Sequence, residues 1–342
     1  MNEFQKKYLL KRQDYGVLFP YITSEEVTDI NWNGKQLWID DLQKGRFVAP
    51  EVLPEVFVER FVMLLANVTG MNFNRTNPVM EAETEELRIS VVHESVARSG
   101  VTISIRKIPM VRRMTEESML AQGYCSGEIL DFMIRCIQSH CSLVIAGLPG
   151  VGKTELLKFL TQYIPSKERV ITIEDVLEIH YPSLNPDKDC IEMKVAENFS
   201  YAQAIKASLR QFPKWIILSE ARSREARQLL ESLSTGACSI TTLHAQGISD
   251  IPVRMKNMVG DLEGDKPVDE AIYRYIDVGI LVSGKPDSQG RMVRKIEEIG
   301  VFEYLEGQEE ATRLTMLAEG GRFFPERMPE SMRLRLSQNV AG

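Results

Sequence analysis

Short runs of hydrophobic residues alternate with polar residues along the first third of the chain. The runs at 27–30, 37–39 and 102–106 are rich in β-branched and aromatic residues and are separated by turn-forming residues, which is typical of strands. Between them, apolar residues recur at helical spacing from 56 to 65. The pattern predicts a small α+β domain over residues 1–110.

The pattern changes after a charged segment at 111–126, which we interpret as a linker or as the opening of the second domain. From residue 127 onward, helical patterns alternate with short runs that are apolar at almost every position. These runs lie at 142–146, 170–173, 215–218 and 239–243. Strands that are apolar on both faces belong to sheets covered on both sides. The sequence therefore predicts an α/β domain over residues 127–342.

Composition and charge restrict the class of protein. The 342 residues, 44% of them hydrophobic, suffice for two domains that each bury a core. The formal net charge is −7. Domains that bind the phosphate backbone of nucleic acids usually have an excess of basic residues. We therefore expect no direct nucleic-acid binding.

The sequence also carries signals about location. None of the five cysteines is spaced as C-x-x-C, which fits reduced thiols in a cytoplasm better than a disulfide framework or a zinc ribbon. The N-terminus lacks the features of a signal peptide, and no run of 18 apolar residues occurs. We expect a cytoplasmic protein that meets a membrane only through partners.

A phosphate-binding motif follows the first apolar strand of the second domain. Residues 147–154 fit G-x-x-x-x-G-K-[ST], and a helical pattern follows them. Such glycines let backbone N–H groups surround phosphates, Lys153 reaches the β- and γ-phosphates, and the Thr154 hydroxyl binds Mg²⁺. The predicted nucleotide-binding residues are Gly147, Leu148, Pro149, Gly150, Val151, Gly152, Lys153, Thr154 and Glu155.

Acidic residues and a histidine follow three further predicted strands. Glu174 precedes Asp175 and Glu178 after one strand, Glu220 follows the next, and His244 follows the last. The carboxyl ends of parallel strands share one edge of a sheet, so these side chains are expected beside the phosphates. There, one acid orients water and another holds the metal. The alternatives are a helix cap or surface charge for each acid and a structural hydrogen bond for the histidine.

These motifs resemble, in order, those of the secretion-superfamily ATPases, the motors of type II and type IV secretion and of type IV or Tad pili. The resemblance covers roughly residues 25–300. The family's Asp box is similar to residues 172–178, its Walker B stretch to 209–226 and its His box to 241–245. The N-terminal stretches at 27–34, 88–90 and 99–107 are closer in style to the type IV secretion and Tad members than to the pilus-retraction branch. The absence of a four-cysteine zinc module speaks against the usual type II secretion branch.

The resemblance implies a RecA-like P-loop core, preceded by the smaller domain, in a homo-hexameric ring. It implies Mg²⁺-dependent ATP hydrolysis that drives a secretion, conjugation or pilus machine, with inner-membrane components as partners at the cytoplasmic face of the membrane. The implied catalytic residues are Glu174, Glu220, Lys153, His244 and Arg106. The implied Mg²⁺ ligands are Thr154 and Glu220, the latter directly or through water.

Arginines of the N-terminal domain are implied to reach the nucleotide, where they would stabilise charge on the transferred phosphoryl group. The candidates are Arg88, Arg98 and Arg106, of which Arg106 has the strongest motif position. Each arginine also fits a role as an ion-pair partner. Arg222 is assigned to ordering the Walker B loop. Glu174 is preferred over Glu178 as the residue that activates water.

Two departures from the family pattern keep a second function open. Members commonly have Pro-Asp before the Walker B strand and Thr-Gly-His before the His-box strand, whereas this chain has Pro213-Lys214 and Thr235-Gly236-Ala237. The alternative is a nucleotide-dependent assembly or docking component with little intrinsic turnover. A nucleic-acid motor is disfavoured by the net charge of −7 and by the lack of a basic stripe interleaved with aromatics.

One basic segment is assigned no site. Residues 290–296 begin with a Gly-Arg pair and include three basic side chains. Their pattern predicts a strand after a turn, with the charged side chains on the solvated face.

Overall fold

The computed structural model describes residues 3–221, 225–259, 268–288, 291–308 and 310–338. The chain divides into two compact units. The smaller unit consists of Met1–Met110 and Lys285–Val293, and the larger of Val111–Gly284 and Arg294–Gly342. Arg222, which the sequence assigns to ordering the Walker B loop, lies outside the described residues.

The described residues 3–110 form an antiparallel sheet with three α-helices. The helices are α1 (Glu3–Tyr8), α2 (Phe19–Thr23) and α3 (Glu55–Thr69). The strands are β1 (Val27–Trp32), β2 (Leu37–Asp41), β3 (Gly45–Val48), β4 (Val79–Glu83), β5 (Leu87–Val92) and β6 (Thr102–Lys107). They pair in the order β3-β2-β1-β6-β5-β4, each with an antiparallel neighbour. The predicted α+β class is confirmed.

Helix α3 supplies one side of the core of the smaller unit. Its buried residues, Val58, Phe61, Val62 and Leu65, recur at helical spacing and share one hydrophobic cluster with the inward-facing strand residues. Along β5 every second residue is buried, as expected for a sheet with one covered face. The helix ends at Gly70, whose φ of 68° is a left-handed conformation that glycine adopts without steric cost.

From Val111 onward, helices alternate with the strands of a second sheet. The helices are α4 (Glu116–Ala121), α5 (Gly127–Gln138), α6 (Lys153–Thr161), α7 (Tyr181–Leu184), α8 (Tyr201–Ser208), α9 (Glu225–Leu233), α10 (Asp250–Val259), α11 (Val268–Tyr275) and α12 (Glu330–Ser337). The strands are β7 (Leu143–Ala146), β8 (Val170–Glu174), β9 (Cys190–Lys194), β10 (Trp215–Leu218), β11 (Cys238–Leu243), β12 (Val278–Pro286), β13 (Met292–Tyr304), β14 (Thr312–Glu319) and β15 (Arg322–Phe323).

The second sheet has a parallel centre and an antiparallel flank. Its order is β15-β14-β13-β12-β7-β11-β10-β8-β9, and the neighbours from β12 to β9 are parallel. Every residue of β7, β8, β10 and β11 is buried. Along β7, Leu143 and Ile145 join one hydrophobic cluster while Val144 and Ala146 join another. Both faces are therefore covered, which confirms the predicted α/β class.

The segment 111–126 packs into the larger unit. It contains α4, and its residues Met119, Tyr124 and Cys125 are buried in the same cluster as β7. Helix α4 begins at Thr115, whose side chain accepts a hydrogen bond from the Ser118 backbone N–H. The segment that reads as a charged linker in the sequence thus contributes apolar side chains to a core.

Candidate nucleotide site

The phosphate-binding motif forms the turn between β7 and α6. Gly152 lies just before α6 with a φ of 93°, a conformation that favours glycine. A Cβ atom at Gly147 would lie 2.5 Å from the carbonyl oxygen of Val282 and 2.8 Å from Val151 Cγ2. Glycine at 147 therefore lets the turn pass close to β12. The turn leads into the N-terminus of α6, whose partial positive charge favours an anion.

Lys153 is held inside this turn. Its Nζ donates to the carbonyl oxygens of Gly147 at 2.9 Å and Leu148 at 3.0 Å, and lies 3.1 Å from His244 Nδ1. Three acceptors thus match the three ammonium hydrogens. Burial lowers the pKa of Lys153 to about 8, against the opposing effect of the Glu220 carboxylate. A bound phosphate would compete with these three acceptors for the ammonium group.

His244 connects Lys153 to Glu220. His244 Nε2 lies 3.1 Å from Glu220 Oε1. With Nδ1 accepting from Lys153, Nε2 carries the hydrogen and donates to the carboxylate, an assignment made from the hydrogen-bond partners. A hydrogen on Nδ1 would instead face the ammonium group of Lys153. The described structure thus joins Lys153, at the start of α6, with two sequence-predicted residues that follow strands, in one chain of contacts.

Glu174 lies at the end of β8 and is fully buried. Its Oε2 accepts the backbone N–H groups of Glu178 at 2.9 Å and Ile179 at 3.0 Å. Its Oε1 is also buried and has no hydrogen-bond partner among the described residues. Burial raises the pKa of Glu174 to about 8, although the two backbone N–H groups oppose that change. In this state the carboxyl is mostly protonated at neutral pH.

We expect Glu174→Gln to change how stability depends on pH. A carboxyl with a folded pKa of about 8 against an ordinary 4.5 binds its proton more tightly in the folded chain. Its contribution is complete below pH 4.5 and is lost as pH rises towards 8, by at most about 1.4 kcal/mol per pH unit. Glutamine does not titrate, so the variant should lose less stability over that range.

Urea unfolding at several pH values between 5 and 8.5 measures this difference. The control is Glu197→Gln, because Glu197 is exposed to solvent. The free energy of unfolding of this control should change with pH as it does for the unchanged chain. Equal pH slopes for Glu174→Gln and the unchanged chain would show that the Glu174 carboxyl does not titrate between the two states.

The remaining residues of the motif differ in exposure. Leu148, Pro149 and Gly150 are exposed at the tip of the turn, and Val151 is buried beneath it. Thr154 is half-buried in the first turn of α6. Glu155 is the next residue, and its Oε1 lies 3.4 Å from the Nζ of Lys158. Their nucleotide-binding roles stay predictions.

The predicted arginines all lie in the smaller unit. Arg106 Nε donates to Asp29 Oδ1 at 2.9 Å, and Arg88 Nη2 lies 4.0 Å from Glu81 Oε1. Arg98 is exposed between β5 and β6. Within this unit, Arg88 and Arg106 therefore act as ion-pair partners, which is the alternative that the sequence left open for them. Their role toward the nucleotide stays a prediction.

Arg294 on β13 belongs to no motif that the sequence assigns to a site. Its side chain is half-buried, and its Nη2 donates to the carbonyl oxygen of Gly150 at 3.3 Å. No local signal identifies it. The sheet brings β12 beside β7 and β13 beside β12, and this order places Arg294 near the turn.

The described residues contain neither a preformed metal cluster nor a membrane-crossing helix. No group of three or more His, Cys, Asp or Glu side chains in the described ranges is arranged to bind a metal ion. A Mg²⁺ ion held by phosphates, the Thr154 hydroxyl and one carboxylate needs no such group. Among the helices of the described ranges, none is both long enough and apolar enough to cross a bilayer.

Known proteins are similar to this chain over most of its length. The family model described as "Type II/IV secretion system protein" matches residues 74–266. An uncharacterized protein of Bacillus anthracis is 28% identical over 279 residues, which cover 79% of this chain and 63% of that protein. The type IV secretion system protein VirB11 of Brucella suis is 30% identical over 320 residues, which cover 82% of this chain and 87% of VirB11.

The fold is also found among solved structures. The ATPase DotB of Legionella pneumophila is 17% identical, with a TM-score of 0.63, and the match covers 85% of this chain and 81% of DotB. At this identity the match shows the fold, and it confirms the expected P-loop ATPase core with an N-terminal domain. The family model matches more than half of the chain, in agreement with the relative in Brucella suis. The chain therefore belongs to the type II/IV secretion system protein family, the secretion traffic ATPases that its motifs resemble.

Proposed function

We propose that this protein is a Mg²⁺-dependent ATPase that energises a type IV secretion, conjugation or pilus-type membrane machine. The observation that carries the proposal is the chain of contacts from Lys153 through His244 to Glu220 at the phosphate-binding turn. Phosphoryl transfer depends on positioned cations and on groups that orient metal and water, and these are the residue types gathered here. The relative named as a type IV secretion system protein and the similarly folded protein named as an ATPase support the same proposal.

In the proposed site, the phosphates of ATP take over the acceptor role that Gly147 and Leu148 now have toward Lys153. The ammonium group then lies against the β- and γ-phosphates and balances the charge on the transferred group. The Thr154 hydroxyl and the Glu220 carboxylate are oxygen ligands of the kind that Mg²⁺ prefers, and they would hold the ion directly or through water. Bound Mg²⁺ would neutralise phosphate charge.

We assign the orientation of water to Glu174. Its Oε1 is buried and has no partner among the described residues, so a water molecule or phosphate oxygen would supply one. A carboxyl whose pKa is about 8 is poised near the working pH of a general base, and a nearby cation would favour its charged form. Glu178, which is half-buried three residues after Asp175, remains the alternative base.

We further propose that six copies form a ring in which arginines of the smaller unit, Arg106 with Arg88 and Arg98, act on the nucleotide. An arginine supplied across a domain or subunit boundary stabilises the charge of the transition state. The ring would work at the inner face of the membrane and bind inner-membrane components of the machine. The second candidate, a nucleotide-dependent docking component with little turnover, keeps its basis in Lys214 and Ala237.

Turnover should depend on assembly if the sites are shared between copies. We expect the Mg²⁺-dependent hydrolysis rate per subunit to climb with protein concentration and then level off, with Lys153→Ala as the blank for contaminating activity. Light scattering on the same samples measures the size of the assembly. A rate per subunit that stays constant while assembly increases would contradict shared sites. Nucleotide binding with no rate above the blank would favour the docking component.

A further inference from the structure

We propose that Arg294 is a further nucleotide-binding residue, which contacts the phosphates of the nucleotide from strand β13. The inference rests on the proposed function, because it needs a nucleotide at the turn formed by residues 147–152. It adds a residue that lies outside every motif singled out in the sequence.

The side chain of Arg294 lies along the phosphate-binding turn. Its Cδ and Nε lie 3.6 Å and 3.8 Å from the position that a Cβ atom would take at Gly152. Its Nη2 reaches the carbonyl oxygen of Gly150 at 3.3 Å. The stem therefore runs past one glycine of the turn and the guanidinium reaches another. A small rotation of this long side chain moves its donors by several ångströms, so it can exchange a backbone carbonyl for a phosphate oxygen.

The charges around Arg294 favour an additional anion. Burial lowers the pKa of Arg294, and the neighbouring Arg113 lowers it further, while Tyr124 and Glu155 oppose the change. Arg294 thus lies close enough to another guanidinium group, that of Arg113, to feel its charge. Lys153 adds a third cation inside the turn. Like charges repel more strongly in a half-buried setting than in water, and a polyphosphate would relieve that repulsion.

Two buried polar atoms beside Arg294 have no hydrogen-bond partner among the described residues. They are the hydroxyl of Tyr124 and the Oε2 of Glu155. Tyr124 is only 5% exposed, and its backbone carbonyl accepts from Ile296, two residues after Arg294. A buried polar group without a partner destabilises the fold. The Tyr124 hydroxyl could donate to a phosphate or ribose oxygen of a ligand, whereas the Glu155 oxygen could accept only from a donor such as a ribose hydroxyl.

Arginine is suited to this role. Its planar guanidinium presents parallel donors that match two oxygens of a phosphate, whereas lysine offers a single point charge. The backbone carbonyl of Gly150 uses one of these donors in the present structure. We therefore expect Arg294→Lys to keep part of the affinity and Arg294→Ala to lose it.

Calorimetry on the full chain with Mg²⁺ tests the inference, using ATP and ADP as ligands. We expect Arg294→Ala to weaken both by about tenfold or more, as for the loss of a hydrogen bond to a charged group. Competition against bound ATP separates phosphate from base contacts. Tripolyphosphate should displace ATP less well from Arg294→Ala than from the unchanged chain, once the weaker ATP binding of the variant is taken into account. Adenosine should displace ATP equally well from both proteins. The matched control is Lys295→Ala, which removes the next cation of the same strand, one that pairs with Glu297 at 3.0 Å.

The outcomes separate this inference from the proposed function. If the unchanged chain binds no ATP, the proposed function is wrong and the inference fails with it. If the unchanged chain binds ATP and Arg294→Ala binds it equally well, the inference alone is overturned. If adenosine and tripolyphosphate lose equal binding affinity in Arg294→Ala, Arg294 shapes the turn and does not contact phosphate. This result would also overturn the inference.

Discussion

Replacing Lys153 by alanine is expected to abolish measurable ATP turnover, which means a fall in rate of about 100-fold or more. The substitution removes the ammonium group that the turn holds against its own carbonyl oxygens and His244. In the proposed site, Lys153 exchanges these contacts for the β- and γ-phosphates of ATP. Without it, the charge that builds up on the transferred phosphoryl group loses its nearest cation. Steady-state hydrolysis with Mg²⁺, at a protein concentration where the unchanged chain is fully active, measures the loss.

The matched control is Lys167→Ala, which removes an exposed lysine between α6 and β8. Its turnover should equal that of the unchanged chain. Thermal unfolding of each variant shows whether lost activity reflects lost structure, since Lys153 is also a buried hydrogen-bond donor. Turnover at the unchanged level in folded Lys153→Ala would overturn the assignment of the active site.

Replacing Glu220 by alanine should separate binding from hydrolysis. Glu220 follows β10 and accepts from His244, and its proposed role is to hold Mg²⁺. Loss of the carboxylate leaves the glycine-rich turn and Lys153 in place, so we expect the dissociation constant for nucleotide to change by less than about threefold. Hydrolysis should fall by about 100-fold or more, because the metal and His244 lose their anchor in the transition state.

Calorimetry with ADP and steady-state hydrolysis with ATP report the two quantities on the same preparation. Glu231→Ala is a suitable control, because Glu231 is an exposed carboxylate that pairs with Arg227 on α9. It should change neither quantity. Equal losses of binding and hydrolysis in Glu220→Ala would identify Glu220 as a structural residue that supports His244.

The central strands could be predicted because their signal is local. Runs such as 215–218 are apolar at every position, and a sheet covered on both faces requires that composition. The phosphate-binding turn is equally local, since its glycines and Lys153 lie within eight consecutive residues. The packing of the segment 111–126 has no local signal, because the burial of Met119 and Tyr124 depends on strands far along the chain. Local charge gave no sign of that packing.

The site was only partly predictable. The sequence identified Lys153, Glu220 and His244 as candidates, and the described structure joins them in one chain of contacts. No local pattern indicates that Glu174 turns one oxygen toward its own loop and leaves the other without a partner among the described residues. That orientation depends on the backbone conformation after β8. It has a chemical consequence, because burial there raises the pKa of the carboxyl.

By itself, the sequence determined the apolar strands, the glycine-rich turn and the residues at the strand ends, because each depends on side chains adjacent in the chain. Only the tertiary structure decided which of those ends meet. Parallel pairing sets β11 between β7 and β10, so His244 lies between Lys153 and Glu220. The same sheet carries β13 to the turn and brings Arg294 to Gly150, across 144 residues of sequence. Strand order is a long-range property, and no local pattern encodes it.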